Sequence, residues 1–244
     1  MKLFIATDSA TAKTEYIKLI EKSVISAIKN TDFEIYVIFD GKKEELTLPS
    51  EANIIEHKHR YYDMLKKYSK IRTTACWLRT EIPFLCQKLG FKDEFILYTD
   101  NDVIFNKSDY SDLNYMKPEC FAAAPECDKN HWDYINTGVM LMNVHHFISQ
   151  DEFIFNYIRE FGHEFLHDQE MYNKLYKGKV SKLPIEYNWK PYWGYNPDAK
   201  IIHFHGPKPK RASFEEQYNT QIIKKLREKD IDSYNYYSEI WENT

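Results

Sequence analysis

Short unbroken apolar runs alternate along the chain with longer stretches whose apolar residues recur every three or four positions. Residues 3–6 form the first run, which turns polar at Thr7 and Asp8, and 14–28 follow with Ile17, Ile20, Val24 and Ile28 on one helical face. A second run at 33–39 closes on the turn pair Asp40 and Gly41, and 53–56 offers a third, short strand. Strand, helix and strand in that order predict βαβ units and a largely parallel sheet with right-handed crossovers. Residues 70–89 read as helix, with Pro83 marking a break or a new start. A fourth strand at 94–98 runs straight into Thr99, Asp100, Asn101 and Asp102. Strands are expected at 120–124, 139–144 and 201–204, and helices at 153–165 and 167–176. From 214 onward Ile222, Ile223 and Leu226 keep helical spacing in a polar background, which predicts helices packed on the main body. The expected architecture is α/β: one domain over 1–212, a mixed, mostly parallel sheet flanked by helices, with a helical C-terminal extension over 213–244.

Composition changes this picture in three places. A net charge of −4 argues against a nucleic-acid partner, which draws a basic face. No run approaches the ~18 apolar residues of a membrane span, and the early polar turn reads as a first strand and not as a signal peptide. The cysteines Cys76, Cys86, Cys120 and Cys127 show no metal or redox spacing, so free thiols and a cytoplasmic setting are expected, with at most weak peripheral membrane contact. With 19 Tyr and 15 Phe, the chain is rich in the rings that line carbohydrate-handling surfaces, although a tyrosine-rich surface of biased base composition reads the same way.

Candidate chemistry concentrates beyond the fourth strand. In open α/β sheets ligands bind in the crevice at the carboxyl ends of the strands. Asp100 and Asp102, one residue apart there, can share a hard cation such as Mg²⁺ or Mn²⁺. Such an ion neutralises a diphosphate and improves it as a leaving group. Late in the chain His203 offers an imidazole to complete the metal shell, Gly206 a close backbone approach, and Lys208 or Lys210 a cation for the far phosphate.

Taken together these elements resemble the family 8 glycosyltransferases. Leu78 to Pro83 is similar to the family's arginine helix, and Tyr134 to Asn143 to its Asn-x-Gly segment. His167 to Asn173 is similar to its Asp-Gln element, and Leu183, Pro184, Tyr187 and Asn188 to its Leu-Pro and Tyr-Asn stretch. The resemblance covers about residues 3–210. It implies a GT-A (Rossmann-like) fold, a nucleotide diphosphate sugar donor (usually UDP-linked), Mn²⁺ dependence and retention of configuration, in the biosynthesis of a glycan or on a lipid-linked or protein acceptor.

Position by position, the resemblance implies metal ligation by Asp100, Asp102 and His203. It implies nucleobase contact at Thr7 and Asp8, and donor contact at Arg79, Asn101, Asn136, Gly138, Gly206 and Lys208. Asp168 and Gln169 fall at the reaction face. The chain departs from the family in the spacing of Gly206 and Lys208, and in Glu126, which stands where the family carries an aspartate. Retention without an evident nucleophile favours a front-face route, in which the leaving phosphate takes the acceptor's proton and Gln169 lines the site. Covalent attack by Asp168 is the sharper alternative and helix capping its plain one. Plain readings also exist for Arg79 (a surface ion pair) and Asn136 (a turn cap), while His131, His145, His146 and His163 have no assigned role. A catalytically inactive nucleotide-sugar binder would have lost the Asp pair or His203. Of the metal-dependent rivals on a similar sheet, a nucleotidyltransferase or a phosphohydrolase, the nucleotidyltransferase would carry a glycine-rich, basic loop where 7–12 has no glycine. An inverting GT-A transferase stays as the other enzymatic alternative.

Overall fold

The computed structural model describes residues 1–65, 75–209 and 220–244. Strands β1 (Lys2–Asp8), β2 (Glu34–Asp40), β3 (Ala52–Glu56) and β4 (Phe95–Thr99) build one sheet with β6 (Phe121–Pro125), β7 (Ile135–Asn143) and β8 (Ser181–Lys182). Its order is β3-β2-β1-β4-β7-β6-β8. Strands run parallel from β3 to β4 and again between β6 and β8, whereas β7 is antiparallel to both neighbours. The short β5 (Val103–Phe105) and β9 (Ile201–His203) pair antiparallel in a separate ribbon. The helices are α1 (Ser9–Ala12), α2 (Ile17–Asn30), α3 (Tyr62–Leu65), α4 (Ile82–Lys88), α5 (Val144–Phe161), α6 (Asp168–Leu175), α7 (Gln221–Glu228) and α8 (Ile231–Asn243).

Side chains alternate across the sheet, and both faces are covered. Leu3, Ile5, Ile35, Val37, Leu97 and Leu141 meet Ile20, Val24 and Ala27 of α2. Phe4, Tyr36, Ile38, Ile96, Tyr98 and Met142 meet Leu85 of α4 and Ile154 and Ile158 of α5. Burial on both faces is why the strands read as continuous apolar runs and not as apolar–polar alternation.

Three boundaries differ from expectation, each for a local reason. Helix α5 begins at Val144 and not at 153, because Asn143 caps it, accepting from the His146 amide at 3.1 Å. The apolar run of β7 continues into that first turn and hides the junction. Strand β7 begins at Ile135 and not at 139; Ala123 pairs with Met140 but Ala124 with Asn136, so residues 137–139 bulge out of the β6 pairing. Of the helix expected at 70–89, residues 70–74 lie outside the described residues. The rest is a 3₁₀ turn over Ala75–Glu81 followed by α4, so Pro83 marks a new start.

The expected C-terminal helices are α7 and α8, while the 212/213 boundary lies outside the described residues. Tyr237 and Trp241 of α8 are buried against Leu19, Ile104, Trp189, Ile202 and Phe204. The Tyr234 hydroxyl donates to the Lys208 carbonyl, and Leu226 and Ile223 of α7 stand against Gly206. Among the described residues no helix is long and apolar enough to cross a membrane. Trp241→Ala deletes a fully buried indole and is expected to cost about 3–5 kcal/mol, read as a lowered denaturant midpoint. An unchanged midpoint would mean that α8 contributes no stability to the domain.

Candidate functional site

The site is assembled by main-chain pairing. Strand β4 ends in the turn that carries Asp100 and Asp102, and β5 starts immediately after it. Val103 pairs with His203 across the β5–β9 ribbon, and the Phe204 amide donates to the Asp102 carbonyl at 2.9 Å. Residues from opposite halves of the sequence are thereby placed side by side.

Asp100, Asp102 and His203 each turn one ligand atom into a common space, all within 4.8 Å of one another. His203 Nε2 lies 3.2 Å from Asp102 Oδ1 and 4.0 Å from Asp100 Oδ2. The other Asp100 oxygen is committed, accepting from the Tyr98 hydroxyl at 2.7 Å and facing Arg79 Nη2 at 3.1 Å. Asp102 Oδ1 is buried with no hydrogen-bond partner, whereas Oδ2 accepts from Lys208 Nζ. Burial pushes the Asp102 carboxyl up, but Lys208 and His203 outweigh it and hold the group well below the usual carboxylate range. Burial lowers the His203 pKa against the opposing pull of Asp102. Gly138 makes room for the cluster: a Cβ there would stand 2.2 Å from His203 Cε1 and 2.9 Å from Asp100 Oδ2.

Arg79 sits behind the carboxylates at 4% exposure, which replaces the surface-pair reading. It spans Asp100, the Thr137 carbonyl and Asp168, the last through Nε to Oδ2 at 2.7 Å. Arg79 Nε also donates to the Cys76 carbonyl at 3.1 Å. Asp168 is fully buried, and burial raises its pKa to about 7 against the opposing charge of Arg79, which Asp100 shares. It is the first residue of α6 and not its cap, a position held by His167.

A cleft of ≈ 500 Å³ opens above these groups, lined among others by Arg79, Asn101, Glu126, Asp168, Gln169 and Lys208. This is the size range of small-ligand sites. Gln169 turns its carbonyl inward, accepting from the Thr137 amide at 3.0 Å and Asn136 at 3.2 Å. Asn136 does cap a turn, accepting from the Gly138 amide at 3.1 Å, and it also donates to Glu126 at 2.7 Å. Burial raises the Glu126 pKa, but the His205 and Asn136 contacts and the nearby Lys190 bring it down to about 2.

Thr7 and Asp8 stand apart from the cleft lining. Thr7 is buried and faces the Asn101 amide at 3.5 Å, while Asp8 caps α1 through the Thr11 amide at 2.8 Å. Gly206 has φ +79°, the left-handed turn that folds Lys208 back onto Asp102. Lys210 lies outside the described residues.

Residues without a sequence-level role also belong here. Asn188 Oδ1 meets His203 Nδ1 at 2.8 Å. His205 is held between Glu126 and Tyr192 at 2.9 Å each. Lys190 is buried on the Pro125 carbonyl at 2.7 Å, and burial lowers its pKa to about 7. Asn188 and His205 stand inside quoted motifs and were within reach; buried Lys190 carried no signal.

Residues 10–210 match the profile described as Glycosyl transferase family 8. No curated protein matches the chain by sequence. Among solved structures, the galactosyltransferase LgtC in complex with donor and acceptor sugar analogs superposes with TM-score 0.64 at 17% identity, over 94% of this chain and 95% of that one. The apo-form glycosyltransferase GlyE of Streptococcus pneumoniae TIGR4 gives 0.63 at 19% identity, over 100% and 64%. Apo mouse xyloside xylosyltransferase 1 gives 0.56 at 12%, over 86% and 99%. These structures share the GT-A fold, and the family match reaches from α1 through the turn that carries Lys208. The chain belongs to glycosyl transferase family 8 and is a glycosyltransferase.

Proposed function

We propose that this glycosyltransferase is a retaining, Mn²⁺-dependent enzyme, with Mg²⁺ as the alternative ion. It moves a hexose from a UDP-linked sugar to a hydroxyl of a glycan, lipid-linked or protein acceptor. The observation that carries the reading is the buried, unpartnered Asp102 Oδ1 facing His203 Nε2 at 3.2 Å. The ligand atoms of Asp100, Asp102 and His203 lie within 4.8 Å of one another, so the three residues could hold one ion. Two carboxylates and one imidazole fit a hard divalent ion that tolerates nitrogen. When bound, such an ion neutralises the diphosphate and makes it a better leaving group.

In this reading Asp100, Asp102 and His203 are the ligands, and the Lys208 ammonium answers the charge that develops on the departing phosphate. Glu126, Asn136, Asp168 and Gln169 surround the sugar, and the cleft walls hold the acceptor hydroxyl close to the anomeric carbon. Thr7 and Asp8, at the end of β1, are assigned to the nucleobase side together with Asn101. Gly138 serves by its absent side chain, and Gly206 by its turn. A front-face route is favoured over covalent attack, because Asp168 is fully buried and engaged by Arg79 Nε at 2.7 Å.

Donor hydrolysis across a panel of nucleotide sugars is expected to release UDP from one donor only with Mn²⁺ present. In Asp102→Ala the rate is expected to fall at least about 100-fold, the equivalent of the few kcal/mol a Lewis acid supplies. Absence of nucleotide binding in the presence of metal would sink the proposal. Gly138→Ala forces a Cβ against His203 and Asp100. It is expected to weaken Mn²⁺ binding in calorimetry while costing about 1–3 kcal/mol of stability; unchanged Mn²⁺ affinity would show that the ligands do not depend on that space.

Asp168 supplies a test in pH. Its pKa is raised on folding from 3.8 to about 7, so its stabilising contribution is present below about pH 4 and is lost as pH rises through 7. Asp168→Asn removes this titration. The variant's stability relative to wild type is therefore expected to be about 1–3 kcal/mol better at pH 8 than at pH 5, read from denaturant midpoints. The opposite trend would show that the Arg79 pair outweighs burial.

A further inference from the structure

We propose that Asn188 and Asn136 are positioning residues that fix the tautomer of His203 through a one-directional hydrogen-bond relay, leaving its Nε2 lone pair for a divalent cation. The proposal rests on the metal-dependent reading above. Its direction follows from two main-chain amides, which can only donate. The Gly138 N–H lies 3.1 Å from one polar atom of the Asn136 carboxamide, so that atom is Oδ1. Asn136 Nδ2 then faces acceptors, Glu126 Oε2 at 2.7 Å and Gln169 Oε1 at 3.2 Å. Gln169 is oriented in the same way, its Oε1 held by the Thr137 N–H at 3.0 Å.

The orientation of Asn136 passes along the chain. Its Oδ1 also meets an Asn188 atom at 2.9 Å, and that atom must be a donor, Nδ2. Asn188 Oδ1 is thereby turned toward His203 Nδ1 at 2.8 Å, and an acceptor there demands N–H on the ring. The neutral ring has one such proton. With it on Nδ1, Nε2 is bare, and its lone pair faces Asp102 Oδ1 at 3.2 Å. Asn136, Asn188 and His203 are all buried, so water does not replace a missing link.

The backbone brings Asn188 to this post. The His203 amide donates to the Trp189 carbonyl at 2.8 Å, and Trp189 bridges to Ile202, so the segment at 188 runs beside β9. At the far end Glu126 accepts from His205 as well, so the relay ties the ion position to the opposite wall of the cleft.

The test uses the full chain without nucleotide and Mn²⁺ alone, titrated by the electron paramagnetic resonance of the free ion. Asn188→Leu is expected to weaken Mn²⁺ binding about 10–100-fold. Asn188→Asp, which still accepts from Nδ1–H, is expected to retain most of the affinity although it loses the bond to Asn136. A long-range ¹H–¹⁵N correlation spectrum of the metal-free wild type is expected to show Nδ1 protonated and Nε2 bare at His203. A proton on Nε2, or wild-type affinity in Asn188→Leu, overturns the relay. Should the leucine variant fail to fold, the wild-type spectrum still decides. A wild type that binds no Mn²⁺ yet shows the Nδ1–H ring overturns the metal-dependent reading and upholds the tautomer assignment.

Discussion

The pairing of β5 with β9 is the constraint on which the cleft depends. Each strand is only three residues long, yet their register places Val103 opposite His203 and so sets Asp102 beside the imidazole. A sheet strand alone could deliver the two carboxylates, because β4 ends where they begin. It could not deliver the histidine, which arrives from the other half of the chain. A slip of one residue in the ribbon would turn the His203 side chain to the opposite face and dissolve the cluster. The buried Ile104, Ile202 and Phe204, packed with α8, lock the register.

Around that ribbon the chain tolerates a concentration of charge that an ordinary core would reject. Three carboxylates, Asp100, Asp102 and Asp168, lie with Arg79 and Lys208, most of them shielded from water. Isolated, each such group is costly to bury. They survive because Arg79 divides its fork between two carboxylates and two main-chain carbonyls, and because Lys208 closes on Asp102. The site is thus held together by cations already in place.

The sheet and the positions of the Asp pair were legible because they depend on local signals. Apolar runs buried on both faces declare themselves, and carboxylates at a strand's end are conspicuous. Strand β5 escaped notice because Val103, Ile104 and Phe105 follow so closely on Asp102 that they read as the tail of a turn. Strand β7 was shortened in expectation because Asn136, Thr137 and Gly138 look like a loop, and they do bulge, but within the strand. Asn188 stands in the Tyr-Asn stretch without a role attached to it, and Lys190 carried no signal, for another reason. Their roles come from neighbours distant in sequence, Asn136 and Pro125, and no periodicity encodes such meetings. The motif resemblance supplied the names of site residues, but not the inward turn of Gln169 or the way Gly138 works by its absence.

The contact of the tail with the lysine turn has a consequence for how the enzyme wears out. Tyr234 holds the carbonyl of Lys208, and Leu226 and Ile223 lean on Gly206, so the turn is a seam between two stretches of chain. The seam holds the backbone from which the Lys208 ammonium reaches Asp102. Damage that loosens the last two helices, by gentle warming or by a protease, therefore reaches the lysine turn and the β5–β9 ribbon on which α8 packs.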